Sequence, residues 1–142
     1  MHILITGAGG MIGRKLTARL LRDGALNGRS IDRLTLVDVS APPKSENFGG
    51  AVESLAADIS EAAAFTALID ARPDVIFHLA AVVSGEAELD FEKGTRINID
   101  GSRALLEAVR AIGDGYRPRL VFTSSIAVFG APLLRPLLTI ST

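Results

Sequence analysis

The sequence contains no cysteine and no tryptophan, one tyrosine and two histidines. Without cysteine, neither a disulfide framework nor a thiolate metal centre can be built. His2 and His78 lie too far apart along the chain to form a spaced ligand motif. A reducing compartment fits that composition. Charge of either sign is not in excess: 15 Lys and Arg against 16 Asp and Glu leave a net charge of −1. The basic surplus that draws proteins to phosphate backbones or anionic lipid is missing, so nucleic acid and membrane surfaces are not expected partners. No uncharged stretch reaches the roughly 18 residues needed to span a bilayer, and no basic leader with an apolar run and cleavage site opens the chain. A cytoplasmic location is expected.

What is present is a chain of 142 residues, 48% of them hydrophobic, enough for one domain with a substantial core. Short apolar runs alternate with longer stretches of helical period, the pattern of a parallel sheet covered by helices on both faces. Strands are predicted at His2–Thr6, Leu34–Asp38, Val52–Ala57, Val75–Leu79 and Leu120–Ser124. Met11–Asp23 reads as an amphipathic helix with Ile12, Leu16, Leu20 and Leu21 on its apolar face. Ser60–Ala71 reads as a second helix with Ser60 as N-cap, and Glu86–Ile112 as a longer one broken near Lys93-Gly94. Ala41–Gly50 is a loop by composition, and there is no internal repeat. The order predicts an α/β protein, a Rossmann-type doubly wound parallel sheet. Numbering those five strands along the chain, right-handed crossovers give the order 3-2-1-4-5, with the first turn at the switch point.

That first turn is TGAGGMIG, Thr6 to Gly13. At such a turn one glycine permits tight reversal, a second lets the backbone approach a pyrophosphate, and a third lets helix and strand pack closely. Gly7, Gly10 and Gly13 can fill these roles, with Met11 and Ile12 opening the helix whose N–H groups and dipole favour phosphate. The spacing is G-x-x-G-x-x-G, and no Gly-Lys-Ser/Thr follows, which excludes a Walker A loop. An ordinary tight turn is the alternative reading.

Asp38 ends the second predicted strand. A carboxylate there can accept from the adenosine ribose hydroxyls and repel a 2′-phosphate, which selects NAD over NADP; alternatively it ends a strand and starts a turn. The insert ALNGRSID lengthens the gap between the glycines and Asp38. Asp58 with Ile59 can contact the adenine edge, or Asp58 can cap a helix.

Together TGAGGMIG, Asp38, Asp58-Ile59, HLAA at His78–Ala81, NIDGSRALLEA from Asn98 and FTSSIAVFG from Phe122 resemble the extended short-chain dehydrogenase/reductase family, in its NAD-dependent epimerase/dehydratase group. The resemblance covers nearly all of residues 1–130. It implies an NAD-binding Rossmann domain over 1–130, with Ala80 and Ala81 lining the nicotinamide half and Asn98 supporting the site from the long helix. Ser84 falls where substrate approaches. Ser125 matches the hydroxyl that holds the substrate oxygen in catalysis, and Ser124 is its neighbour on the cofactor side. His78 reads as a hydrogen-bonded core residue. The implied substrate is a small molecule, a sugar acid or a nucleotide sugar, and the full-length form is a possible homodimer.

The family's base is a tyrosine with a lysine four residues later, positioned C-terminal to the serines. This sequence has no Tyr-x-x-x-Lys: Tyr116 precedes the serines, and Leu120 stands four beyond it. Residues 131–142, APLLRPLLTIST, form an atypical Leu-rich tail. The expectation is a C-terminally truncated oxidoreductase domain, inactive by itself and without its substrate-binding half. Two other readings stay open: an NAD-binding module that never catalyses, and a doubly wound domain serving another nucleotide or a protein partner.

Overall fold

A computed structural model describes residues 1–43, 48–82, 84–113 and 115–125, apart from the side chains of residues 84 and 86. The Leu-rich tail, the part of FTSSIAVFG from residue 126 onward, and residues 44–47 of the predicted loop lie outside the described residues. The chain runs β1 (His2–Thr6), α1 (Met11–Asp23), β2 (Ala25–Leu26), β3 (Arg29–Ser30), β4 (Arg33–Asp38), β5 (Ala51–Ala56) and α2 (Ala62–Asp70). It continues with β6 (Val75–His78), α3 (Ser84–Leu89), α4 (Phe91–Thr95), a π-helical turn at Arg96–Asp100, α5 (Gly101–Ile112) and β7 (Arg119–Phe122).

Five strands form one parallel sheet in the order β5-β4-β1-β6-β7, the doubly wound order expected from the sequence. The central strand explains why its run is apolar without alternation: Ile3, Leu4 and Ile5 are each 0% exposed, because helices cover both faces. Ile3 and Ile5 pack with Leu34, Leu36 and Leu20 of α1 on one face. Leu4, Val37 and Ile76 pack with Phe65 and Ile69 of α2 and Leu105 of α5 on the other. Period-two alternation thus feeds two cores from one strand. At the far edge, Leu120 and Val121 of β7 remain 39% exposed. No helix among the described residues is long and apolar enough to cross a membrane.

Several local expectations are corrected. Ile12 is 55% exposed; the buried positions of α1 are Gly13, Thr17 and Leu20, because close approach of the helix to the preceding turn at Gly13 sets its rotation. The second helix begins later than predicted, with Glu61 rather than Ser60 at the N-cap: Ser60 lies inside a turn closed by the Glu61 N–H on the Asp58 carbonyl at 3.1 Å, and its own N–H goes to Asp58 Oδ1 at 2.9 Å. The long helix breaks at Asp90, before Lys93-Gly94. The Asp90 carboxylate accepts the Lys93 N–H at 2.9 Å and caps α4. The insert ALNGRSID contains the antiparallel pair β2–β3, turned by Asn27 (φ 50°) and Gly28 (φ 76°). Asn-Gly between two paired residues is a strong hairpin signal. It accounts for the long spacing between the glycines and Asp38.

Candidate functional site

The C-terminal ends of β1, β4 and β6 converge on a cavity of about 550 Å³. It lies where the strand order reverses around β1, the place where open α/β sheets bind ligands. Gly7 and Gly10 line it from the first turn, Asp38 from the end of β4, Asp58 and Ile59 from beyond β5, and Ala80 and Ala81 from beyond β6. Those seven positions, named from sequence and far apart along the chain, are brought together.

The glycine turn is built by close approach. Gly7 has φ 72°, and a Cβ there would lie 2.5 Å from the Ala80 nitrogen; a Cβ on Gly13 would lie 2.1 Å from the Gly7 carbonyl oxygen. The main chain of the turn is therefore pressed between the 79–82 loop and the first turn of α1. Gly10 caps α1 without a side-chain bond, and no acidic residue occupies the first turn. The leading N–H groups of α1 therefore have no side-chain cap, and Gly10 sets the positive end of the helix dipole at the edge of the cavity, a fit for an anionic group.

Two carboxylates share the cavity. Asp38 Oδ2 accepts the Gly9 N–H and Oδ1 accepts the Val39 N–H, both at 2.8 Å. Each oxygen retains a lone pair for a further donor. Asp58 Oδ1 accepts the Ser60 N–H, and that bond, with Arg96 and Lys93 nearby, holds its carboxyl below the usual 3.8. Asp58 does not cap α2, whose N-cap is Glu61; it shapes the turn before that helix and lines the cavity.

The 79–82 loop is held from behind. Val82 N–H donates to Asn98 Oδ1, and Asn98 Nδ2 donates to the Val82 carbonyl, both at 2.9 Å. Asn98 itself is not among the described residues lining the cavity; it supports one that is. Sequence reasoning missed Gly9, Val39, Lys93 and Ile97, which also line it. A neighbour of a known glycine was findable for Gly9. Nothing local marks Lys93 or Ile97, whose placement depends on how α4 and the π-helical turn pack.

Other predicted residues are not among the described residues that line the cavity. Met11 and Ile12 are exposed, Gly13 packs against the turn, and Ser124 and Ser125 follow β7 in exposed positions. Ser84 opens α3, and its side chain lies outside the described residues. Tyr116 is at the opposite end of the sheet: its hydroxyl donates to the Pro73 carbonyl at 2.7 Å, and burial pushes its pKa up to about 12. It has neither the place nor the acidity of a base serving this cavity. Among the described residues no cluster of His, Asp and Glu could hold a metal.

The NAD dependent epimerase/dehydratase family model matches residues 3–139. D-erythronate dehydrogenase of Cupriavidus necator is 47% identical over 137 residues, covering 94% of this chain and 41% of that protein. The crystal structure of a nucleoside-diphosphate-sugar epimerase from Agrobacterium tumefaciens superposes with TM-score 0.90 at 61% identity, covering 94% of this chain and 40% of the other. A variant of uronate dehydrogenase from the same organism, complexed with NAD, superposes with TM-score 0.68 at 34% identity, covering 87% and 40%. The chain thus spans about 40% of the length of these relatives.

Proposed function

The chain belongs to the NAD dependent epimerase/dehydratase family, and from that premise we propose that it forms the NAD-binding portion of an oxidoreductase oxidising a secondary hydroxyl of a sugar acid of the D-erythronate kind. The observation that carries this reading is the convergence of the glycine turn, Asp38 and Asp58-Ile59 on one cavity at the switch point. The backbone at Gly7, Gly9 and Gly10, with the open end of α1, would hold the pyrophosphate. Asp38 would accept from the ribose hydroxyls, and Asp58 and Ile59 would border the adenine. Ala80 and Ala81 leave room for the nicotinamide half because neither projects beyond Cβ. NAD, when bound, supplies the hydride acceptor. Ser125, with Ser124 on the cofactor side, would hold the substrate oxygen, and Ser84 falls near the substrate's approach. The sequence offers no Tyr-x-x-x-Lys to take the hydroxyl proton, so these 142 residues bind cofactor without turnover.

The likeness to a nucleoside-diphosphate-sugar epimerase at TM-score 0.90 favours a second reading, the same cofactor role in an enzyme acting on nucleotide sugars. Calorimetric titration of the full chain with NAD and NADP tests the shared core of both. Saturable binding of NAD in preference to NADP is expected; absence of NAD binding would overturn the proposal.

A further inference from the structure

His78 makes none of the cofactor contacts proposed above, yet it is 1% exposed and both of its ring nitrogens are engaged. In the sheet register Thr6 of β1 stands beside it on one side and Phe122 of β7 on the other. Thr6 Oγ1 lies 2.8 Å from Nδ1, and Ser102 Oγ of α5 lies 3.2 Å from Nε2. Ser102 Oγ gives its own proton to the Asn98 carbonyl at 2.8 Å, so towards the imidazole it can only accept. The network therefore assigns the hydrogen to Nε2, and in the neutral ring Nδ1 accepts from the Thr6 hydroxyl.

The chain of bonds does not stop at Ser102. Asn98, whose carbonyl Ser102 engages, holds Val82 through both its side-chain atoms. Around Asn98 the helix is widened: the Gly101 N–H reaches back to the Arg96 carbonyl, closing a π-type ring. A hydroxyl four residues on that bonds the Asn98 carbonyl stabilises such a local departure from α geometry. The path Thr6, His78, Ser102, Asn98, Val82 thus begins one residue before Gly7 and ends in the loop that lines the cavity. These are the two segments whose main chains approach closely at Gly7, where a Cβ would lie 2.5 Å from the Ala80 nitrogen.

We infer that His78 is a positioning residue for the cofactor cleft: as a neutral imidazole accepting from Thr6 and donating to Ser102, it sets the spacing between the glycine turn and the 79–82 loop. This rests on the NAD-binding reading above. What packs on the ring supports it. Phe65 of α2 meets it edge-on and Phe122 stacks on it, each with ring centroids 5.9 Å away. From β1, α2, α5 and β7 the described partners are Thr6, Phe65, Ser102 and Phe122, none of them charged, and burial alone pulls the imidazole below its usual 6.5. A proton on Nδ1 would turn the Thr6 contact from acceptor to donor and leave a buried cation without a counter-charge.

The test is NAD titration of the full chain between about pH 7.5 and 5.5, a range in which histidine titrates and ordinary carboxylates stay ionised. Wild type is compared with His78→Gln, Ser102→Ala and, as a control, His2→Gln. His2 is the other histidine, at the far end of β1, where Nε2 lies 2.9 Å from Thr35 Oγ1. Wild-type affinity should fall at the acid end. His78→Gln should bind about fivefold more weakly at neutral pH, as expected for one lost buried hydrogen bond, and with a flat profile. Ser102→Ala should also bind more weakly at neutral pH while keeping an acid fall, and His2→Gln should follow wild type. Should circular dichroism show that His78→Gln does not fold, Ser102→Ala decides the matter. Wild-type NAD binding with variants that match it in affinity and pH profile would overturn the positioning role alone. A wild-type chain that binds no NAD would overturn the cofactor reading, and this inference with it.

Discussion

Asp38 Oδ2 and the Gly9 N–H, 29 residues apart in the chain, are joined by a hydrogen bond of 2.8 Å. The carboxylate at the end of β4 therefore holds the glycine turn in place before any ligand arrives, and its remaining lone pairs point to a second use.

Asp38→Ala should weaken NAD by about tenfold or more, the scale of a charge-assisted hydrogen bond, and NADP by much less, because repulsion of the 2′-phosphate is removed as well. Calorimetry with both nucleotides on the full chain measures it. An unchanged NAD/NADP preference would remove Asp38 from the ribose contact.

Gly7 and Gly24 both have positive φ, 72° and 62°, but a Cβ on Gly24 meets nothing within 4 Å whereas one on Gly7 lies 2.5 Å from the Ala80 nitrogen. Gly24→Ala should lose about 1–2 kcal/mol, the left-handed penalty alone. Gly7→Ala adds a backbone collision and should lose about 3 kcal/mol or more. Urea unfolding of the two variants gives the comparison, and equal losses would refute the close approach.

Asn98→Ala removes both bonds to Val82. Local opening of the 79–82 loop should become easier by about 1–2 kcal/mol, the net worth of two part-buried hydrogen bonds. Hydrogen exchange at the Val82 amide should accelerate far more than exchange in β1, and uniform acceleration would point to global destabilisation instead.

Burial places both His2 and His78 below their usual 6.5 in the folded protein. In the unfolded chain they titrate near about 6.5, so just beneath that pH the unfolded state binds more protons and stability falls as pH drops. Asp23, Asp58 and Asp74, held below their usual 3.8 by hydrogen bonds, add losses only at much lower pH. The urea midpoint should therefore decline between about pH 7 and 5.5, and His78→Gln should flatten part of that decline. A midpoint constant through this window would contradict the burial of the imidazoles.

With no Tyr-x-x-x-Lys in its sequence, the chain should form no NADH from D-erythronate or related sugar acids, since positioned proton transfer alone contributes about 10²–10⁴-fold to rate. Absorbance of NADH, with a full-length homologue as positive control, reads this directly. Turnover matching the control would require a base elsewhere, with Asp90 and Glu92 the candidates.

By itself the sequence determined the strand order and the main line of the cavity. Apolar runs such as HILIT and LTLVD can bury both faces only inside a helix-covered parallel sheet, and glycines between strand and helix specify one kind of turn whatever surrounds them. These are local properties of spacing and side-chain type. The Asn27-Gly28 hairpin belonged to that class too, since its turn chemistry is written in two adjacent residues. Only the tertiary structure decided that Asp38 holds Gly9, that Lys93 and Ile97 reach the same cavity, and that Ile12 faces outward while Gly13 and Thr17 face in. It alone set His78 between Thr6 and Ser102, because that row exists only once β1 pairs with β6 in the register Thr6 to His78 and α5 packs across it. Contacts between segments tens of residues apart follow from registers and helix rotations fixed by the whole core, which no local pattern encodes.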